Sequence, residues 1–146
     1  MAPVVRDRHI TVQRQAHLVK DVTQVAAAAK LGDYTIVDAR SAPRFRGEEA
    51  EPRPGVRQGH IPASVNLPFR SLLNPDSTMK SVPELQQAFA AAGADLTKPV
   101  ITTCGSGVTA AILNLALQRM GKHDHALYDG SWAEWGMYND LKVVKG

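Results

Sequence analysis

Pro99-Val100-Ile101-Thr102-Thr103-Cys104-Gly105-Ser106-Gly107-Val108-Thr109 decides how the rest of the sequence is read. Its first five residues are a β-branched, apolar run, the pattern of a buried central strand. Small and polar residues follow, with Gly105 and Gly107 flanking Ser106. An apolar segment from about Val108 to Met120 then predicts a helix, closed by Gly121. Strand, short turn and helix in that order put Cys104 at the carboxyl end of a strand. In open α/β sheets, ligands bind at that end.

The same alternation extends in both directions. Asp21 to Lys30 predicts a helix, with Asp21 as N-cap and Val22, Val25 and Ala29 on one face. Gly32-Asp33 ends it. Tyr34-Thr35-Ile36-Val37 reads as a buried strand, and Ser64-Val65-Asn66-Leu67 as a second, stopped by Pro68. Pro83 opens a helix to Ala92 that carries Leu85 and Phe89 on one side. Ala126-Leu127-Tyr128 is a further strand. Ser131 is expected to cap a last helix, Trp132 to Tyr138, with Glu134 completing a capping box. Between the first two strands, residues 38–63 form a long polar loop, a length that points to function. Alternating strands and helices predict an α/β domain with a mainly parallel central sheet flanked by helices.

Composition narrows the class. The 146 residues fit one domain, with 1–15 read as a polar, loosely held segment and 16–146 as the folded unit. Hydrophobic residues make up 44% and charged residues 21%, which excludes a disordered chain. A net charge of +3, with no basic block interleaved with aromatics, gives no reason to expect nucleic acid. No apolar run approaches the ~18 residues of a spanning helix, so no membrane partner is expected. One cysteine allows no intramolecular disulfide and no cysteine-rich zinc site; neither metal nor cofactor is expected. A lone thiol suits a reducing, cytoplasmic setting. Arg6, Arg8, Arg14 and Lys20 against the single acid Asp7 keep a mitochondrial location as the alternative.

The chemistry converges on Cys104. Glycines at 105 and 107 permit φ > 0, so successive N–H groups can point inward as an anion-binding nest. The helix that follows adds unpaired N–H groups and its positive dipole end. Both favour thiolate over thiol, the condition for a sulfur nucleophile. Ser106 and Thr109 add hydroxyl donors. The plain alternative is a small buried hydrophobe, the usual role of a free cysteine. A cysteine phosphatase would need an arginine six residues after the cysteine to clamp phosphate. Position 110 is alanine, and the next arginine is Arg119. A Cys-His hydrolase stays open, with His9, His17, His60, His123 and His125 as candidates. His60, in Gly59-His60-Ile61-Pro62, is expected to pack in a rigid turn, and His123 and His125 to lie in a surface loop.

Several stretches together resemble one family. They are Val37-Asp38-Ala39-Arg40, Arg44-Phe45-Arg46-Gly47, Glu51-Pro52-Arg53, Gly59 to Phe69, Cys104 to Ala110, and Asp129-Gly130-Ser131-Trp132-Ala133-Glu134-Trp135. The chain resembles the rhodanese-like sulfurtransferases, and within them the C-terminal, catalytic half of the two-domain thiosulfate/3-mercaptopyruvate enzymes. The resemblance implies a rhodanese-like three-layer domain. It implies a sulfurtransferase that moves sulfane sulfur from 3-mercaptopyruvate, secondarily thiosulfate, to a thiol or cyanide through a Cys104 persulfide.

The resemblance also assigns roles. Cys104 is the nucleophile, and Gly105, Ser106, Gly107, Val108 and Thr109 form its loop. Thiosulfate-preferring members carry basic residues directly after the cysteine; Gly-Ser-Gly here implies mercaptopyruvate. Arg44 and Arg53 match the arginines that hold the substrate carboxylate and carbonyl, a task suited to bidentate guanidinium pairing. Asp38 and Arg40 are expected to brace the loop, and Arg46 and Arg57 to be surface charges. Implied partners are a small anionic sulfur donor, a thiol or thioredoxin-like acceptor, and a second, N-terminal rhodanese domain that this chain does not carry. The competing readings are a low-turnover sulfur-relay or docking module and, more distantly, the cysteine phosphatase.

Overall fold

A computed structural model describes residues 19–51, 55–105, 109–128, 130–138 and 140–145. The N-terminal segment 1–15 lies outside them, as do Arg53 and the loop residues Ser106, Gly107 and Val108. Five strands, β1 (Val19–Lys20), β2 (Thr35–Asp38), β3 (Val65–Asn66), β4 (Val100–Thr103) and β5 (His125–Tyr128), form one sheet in the order β1-β5-β4-β2-β3. Every pairing is parallel. The helices are α1 (Val22–Leu31), α2 (Ala42–Arg46), α3 (Val82–Ala91), α4 (Ala110–Arg119) and α5 (Ser131–Trp135), with a 3-10 turn at Phe69–Leu72.

Strand periodicity builds the layers. Successive side chains leave a strand on opposite faces. Val37 and Val100 accordingly enter a core with Leu85, Phe89, Leu113 and Leu117, which α3 and α4 cover. Their neighbours Ile36 and Ile101 enter the other core, with Val25, Ala28, Trp132 and Trp135 from α1 and α5. A sheet whose central strands are apolar on both faces must be covered on both, which gives the expected three layers.

Local signals set the element ends. The Asp21 side chain accepts from the Gln24 N–H at 2.8 Å and the Gln24 side chain accepts from the Asp21 N–H at 2.9 Å, a capping box. Gly32 closes α1 in the left-handed conformation. Two expectations change. Residues 38–63 are not without structure: Ala42–Arg46 is helical, opened by Pro43 in its first turn. Ser131 does not cap α5. It is the first helical residue, with φ +52°, and its hydroxyl turns inward. Glu134 instead accepts from the Tyr128 hydroxyl at 2.7 Å.

Register then assembles the site. β2 and β4 pair with Asp38 opposite Thr103, and the Ala39 N–H donates to the Thr103 carbonyl at 2.8 Å. The two strands therefore end level, and the residues after them, Ala39 to Arg46 on one side and Cys104 and Gly105 on the other, emerge side by side.

Candidate active site

Cys104 is buried, 1% exposed, at the end of β4. Its backbone is fixed by α5. The Trp132 N–H donates to the Cys104 carbonyl and the Ala133 N–H to the Gly105 carbonyl, both at 2.8 Å. The Cys104 N–H donates to Ser131 Oγ at 3.1 Å. Ser131 Oγ lies 2.8 Å from the Tyr128 carbonyl and 4.0 Å from Cys104 Sγ, so its single proton has both as acceptors. The left-handed backbone at Ser131, uncommon for a residue other than glycine, is what aims this hydroxyl at the sulfur.

Beside Gly105, the residue after Cys104, lies an open cavity of about 400 Å³. Gly105 and Thr109 line it together with Ala39, Arg40, Ser41 and Arg44 and with Glu51, Val56, Phe69 and Ala133. Thr109, which lines the cavity, occupies the N-cap position of α4 without a side-chain capping bond.

The wall is an ion-pair network. Asp38 and Arg40 are both nearly inaccessible: Arg40 Nε lies 3.1 Å from each Asp38 oxygen, and Nη2 2.8 Å from Oδ2. Arg40 Nη2 also donates to the Gly59 carbonyl at 2.7 Å, and Nη1 to Glu51 Oε2 at 3.2 Å. Its guanidinium stacks 4.6 Å from the Trp132 ring. Arg40 is thus a strut that ties β2 to the loop at 51–59. Glu51 accepts in turn from Arg44, with Nη2 at 2.6 Å and Nε at 3.4 Å. That hydrogen bond raises the Arg44 pKa above its ordinary value, outweighing the opposite effect of partial burial. Arg44 remains cationic at any physiological pH.

Gly105 has a different reason from the one its sequence context suggests. Its φ is not positive. A Cβ there would stand 2.6 Å from Arg44 Nη2 and 3.5 Å from Nη1. The glycine exists so that the guanidinium can lie on the backbone next to Cys104.

Among the sequence candidates, the structure brings together Cys104, Gly105, Thr109 and Arg44. Arg53, Ser106, Gly107 and Val108 fall outside the described residues. Sequence reasoning passed over Ser131, read as a helix cap, and Glu51, quoted only as part of a motif. The hydrogen bonds that give them these roles come from residues distant in sequence. Arg57 is no surface charge: it donates to the carbonyls of Gly136, Trp135, Tyr138 and Leu141. Arg46 pairs with Glu48 on the surface, as expected. His60 stacks on Phe45 at 3.8 Å and bonds its carbonyl through Nδ1 at 2.7 Å, a packing role. His125 lies in β5 rather than a surface loop, buried, with Nε2 3.0 Å from Gln118 Oε1. Among the described residues no cluster of His, Cys, Asp or Glu suits a metal ion, and no helix is long and apolar enough to cross a membrane.

Comparison with known proteins agrees with this geometry. A family model described as rhodanese-like domain matches residues 21–138. The chain is 45% identical over 125 residues to the 3-mercaptopyruvate sulfurtransferase of Escherichia coli, covering 86% of this chain and 44% of that protein. It is 43% identical over 129 residues to the mitochondrial thiosulfate/3-mercaptopyruvate sulfurtransferase 1 of Arabidopsis thaliana, covering 88% and 34%. The crystal structure of the Tum1 protein from Saccharomyces cerevisiae superposes with a TM-score of 0.79 at 33% identity, over 90% of this chain and 47% of that one. The chain therefore spans less than half the length of these relatives.

Proposed function

The chain belongs to the rhodanese-like domain family, and on that premise we propose that it is a sulfurtransferase taking sulfur from 3-mercaptopyruvate. One observation carries the reading: the guanidinium of Arg44 lies on Gly105, one residue from the chain's single cysteine, in the lining of a cavity of about 400 Å³. The proposed reaction has two halves. Cys104 thiolate attacks the substrate sulfur and the substrate C–S bond breaks. The electron pair leaves on carbon as the enolate of pyruvate, which takes up the thiol proton. Cys104 is left as a persulfide. In the second half an acceptor thiolate attacks the outer sulfur, and Cys104 leaves as thiolate; with cyanide the product is thiocyanate.

Arg44 holds the substrate carboxylate in this scheme and Arg53 serves as the second clamp. Thr109 and the loop residues Ser106, Gly107 and Val108 donate to the outer sulfur. Thiosulfate is the secondary donor, and a small thiol or a thioredoxin-like protein the acceptor. A relay module with little turnover is the second reading. In both readings a second rhodanese domain is the proposed partner of this one.

Mass spectrometry after incubation with 3-mercaptopyruvate tests the first half. The expected result is a gain of one sulfur atom, lost in Cys104→Ser. No gain, or a gain that survives the substitution, overturns it. Steady-state release of pyruvate in the presence of a thiol separates enzyme from relay.

A further inference from the structure

We propose that Glu51 sets the charge class of the donor, tuning the site for monoanions over dianions. This deepens the sulfurtransferase reading and rests on it. The side chain of Glu51 is 3% exposed and lies between Arg40 and Arg44. Its two oxygens engage Nε and Nη2 of Arg44, one edge of the guanidinium fork. The opposite edge, Nη1 with the second Nη2 hydrogen, faces Gly105. Nη1 makes no hydrogen bond among the described residues. Glu51 therefore does two things with one carboxylate. It turns a two-donor edge of Arg44 toward the space beside Cys104, the geometry that pairs with a single carboxylate. It also cancels the arginine's charge.

The cancellation is complete within the network. Two carboxylates, Asp38 and Glu51, face two guanidinium groups, Arg40 and Arg44, so the wall carries no net charge. A monoanion brings one negative charge to this neutral wall. A dianion brings a second negative charge that no group in the described wall neutralises. In a partly desolvated cavity such a mismatch costs more than it would in water. Selectivity then follows from a buried glutamate as well as from the neutral loop after the cysteine.

Protection of Cys104 from iodoacetamide tests this with the full chain, using pyruvate as the monoanion and sulfate as the dianion at equal ionic strength. In the unsubstituted protein pyruvate protects at lower concentration than sulfate. Glu51→Gln, isosteric and uncharged, is expected to shift the ratio of the two protection constants about tenfold toward sulfate. Glu51→Asp, which keeps the charge, leaves the ratio near its original value. With turnover, the ratio of kcat/KM for thiosulfate to that for 3-mercaptopyruvate moves the same way. An unchanged ratio in Glu51→Gln, or an equal shift in Glu51→Asp, overturns the proposal. So does tighter protection by sulfate, or protection by neither anion, in the unsubstituted protein, whether or not the variants fold. Alkylation needs no sulfur transfer, so failure to form a persulfide would defeat the sulfurtransferase reading while leaving this test intact.

Discussion

At Gly105 a single hydrogen in place of a methyl group decides where an arginine can lie. The Cβ of an alanine would meet Arg44 Nη2 at 2.6 Å, well inside contact distance. Arg44 is 24% exposed, so it can swing outward and relieve the clash without disturbing the core. Gly105→Ala is therefore expected to raise the KM for 3-mercaptopyruvate by about tenfold, the loss of one charge-assisted bond. The thermal midpoint should stay nearly constant. An unchanged KM would mean that Arg44 does not touch the donor. Ser131 illustrates the converse at the same scale. A serine after glycine and before an apolar segment reads as a helix cap, because a polar side chain at a helix start usually bonds local N–H groups. Here a positive φ at Ser131 sends its hydroxyl to Cys104, 27 residues away in sequence.

Among the elements, β5 carries a pH dependence. Burial lowers the pKa of His125 from its ordinary value of 6.5, outweighing the nearby Asp124 carboxylate, which acts in the opposite direction. A depressed folded-state pKa means that the unfolded chain binds the proton more readily. The stability involved is fully present above pH 6.5 and is lost as pH falls toward and through the lower folded value. Differential scanning calorimetry should show the midpoint falling between neutral pH and the folded pKa of His125. His125→Gln should flatten that slope; an equal slope would assign the effect elsewhere. The short helix α2 matters for a different reason. Five residues do not make a stable helix alone, and propensity reading passes over them. Pro43 in the first turn and Gly47 at φ +78° punctuate it, and Phe45 anchors it against His60. That anchor presents Arg44 to the cavity.

Across the whole molecule, the C-terminal segment is fastened back over the α1 and α5 side by Arg57. Its guanidinium donates to four carbonyls between Trp135 and Leu141, and for the Leu141 carbonyl it is the donor seen among the described residues. Arg57→Ala should cost about 2–3 kcal/mol in urea unfolding, since hydrogen bonds to a charged donor are lost together with their packing. A loss below ~0.5 kcal/mol would return Arg57 to the exposed surface. The parallel sheet and the position of Cys104 were legible from the sequence because each rests on local pattern: apolar, β-branched runs at β2 and β4, and punctuation by glycine and proline; the three layers were implied by the family resemblance. The capping box at Asp21 and Gln24 is equally local. The Glu51–Arg44–Gly105 contact, the Ser131 hydroxyl at the sulfur and the Arg57 clamp were not legible, because their partners lie between 7 and 84 residues apart and polar side chains carry no periodic mark. What the sequence determined alone was a strand ending in a cysteine. The register of Asp38 against Thr103 decided that an arginine, with the glutamate bonded to it, would lie against the glycine that follows that cysteine. Parallel strands that end level bring their following loops to one place, and only the folded sheet fixes which loops those are.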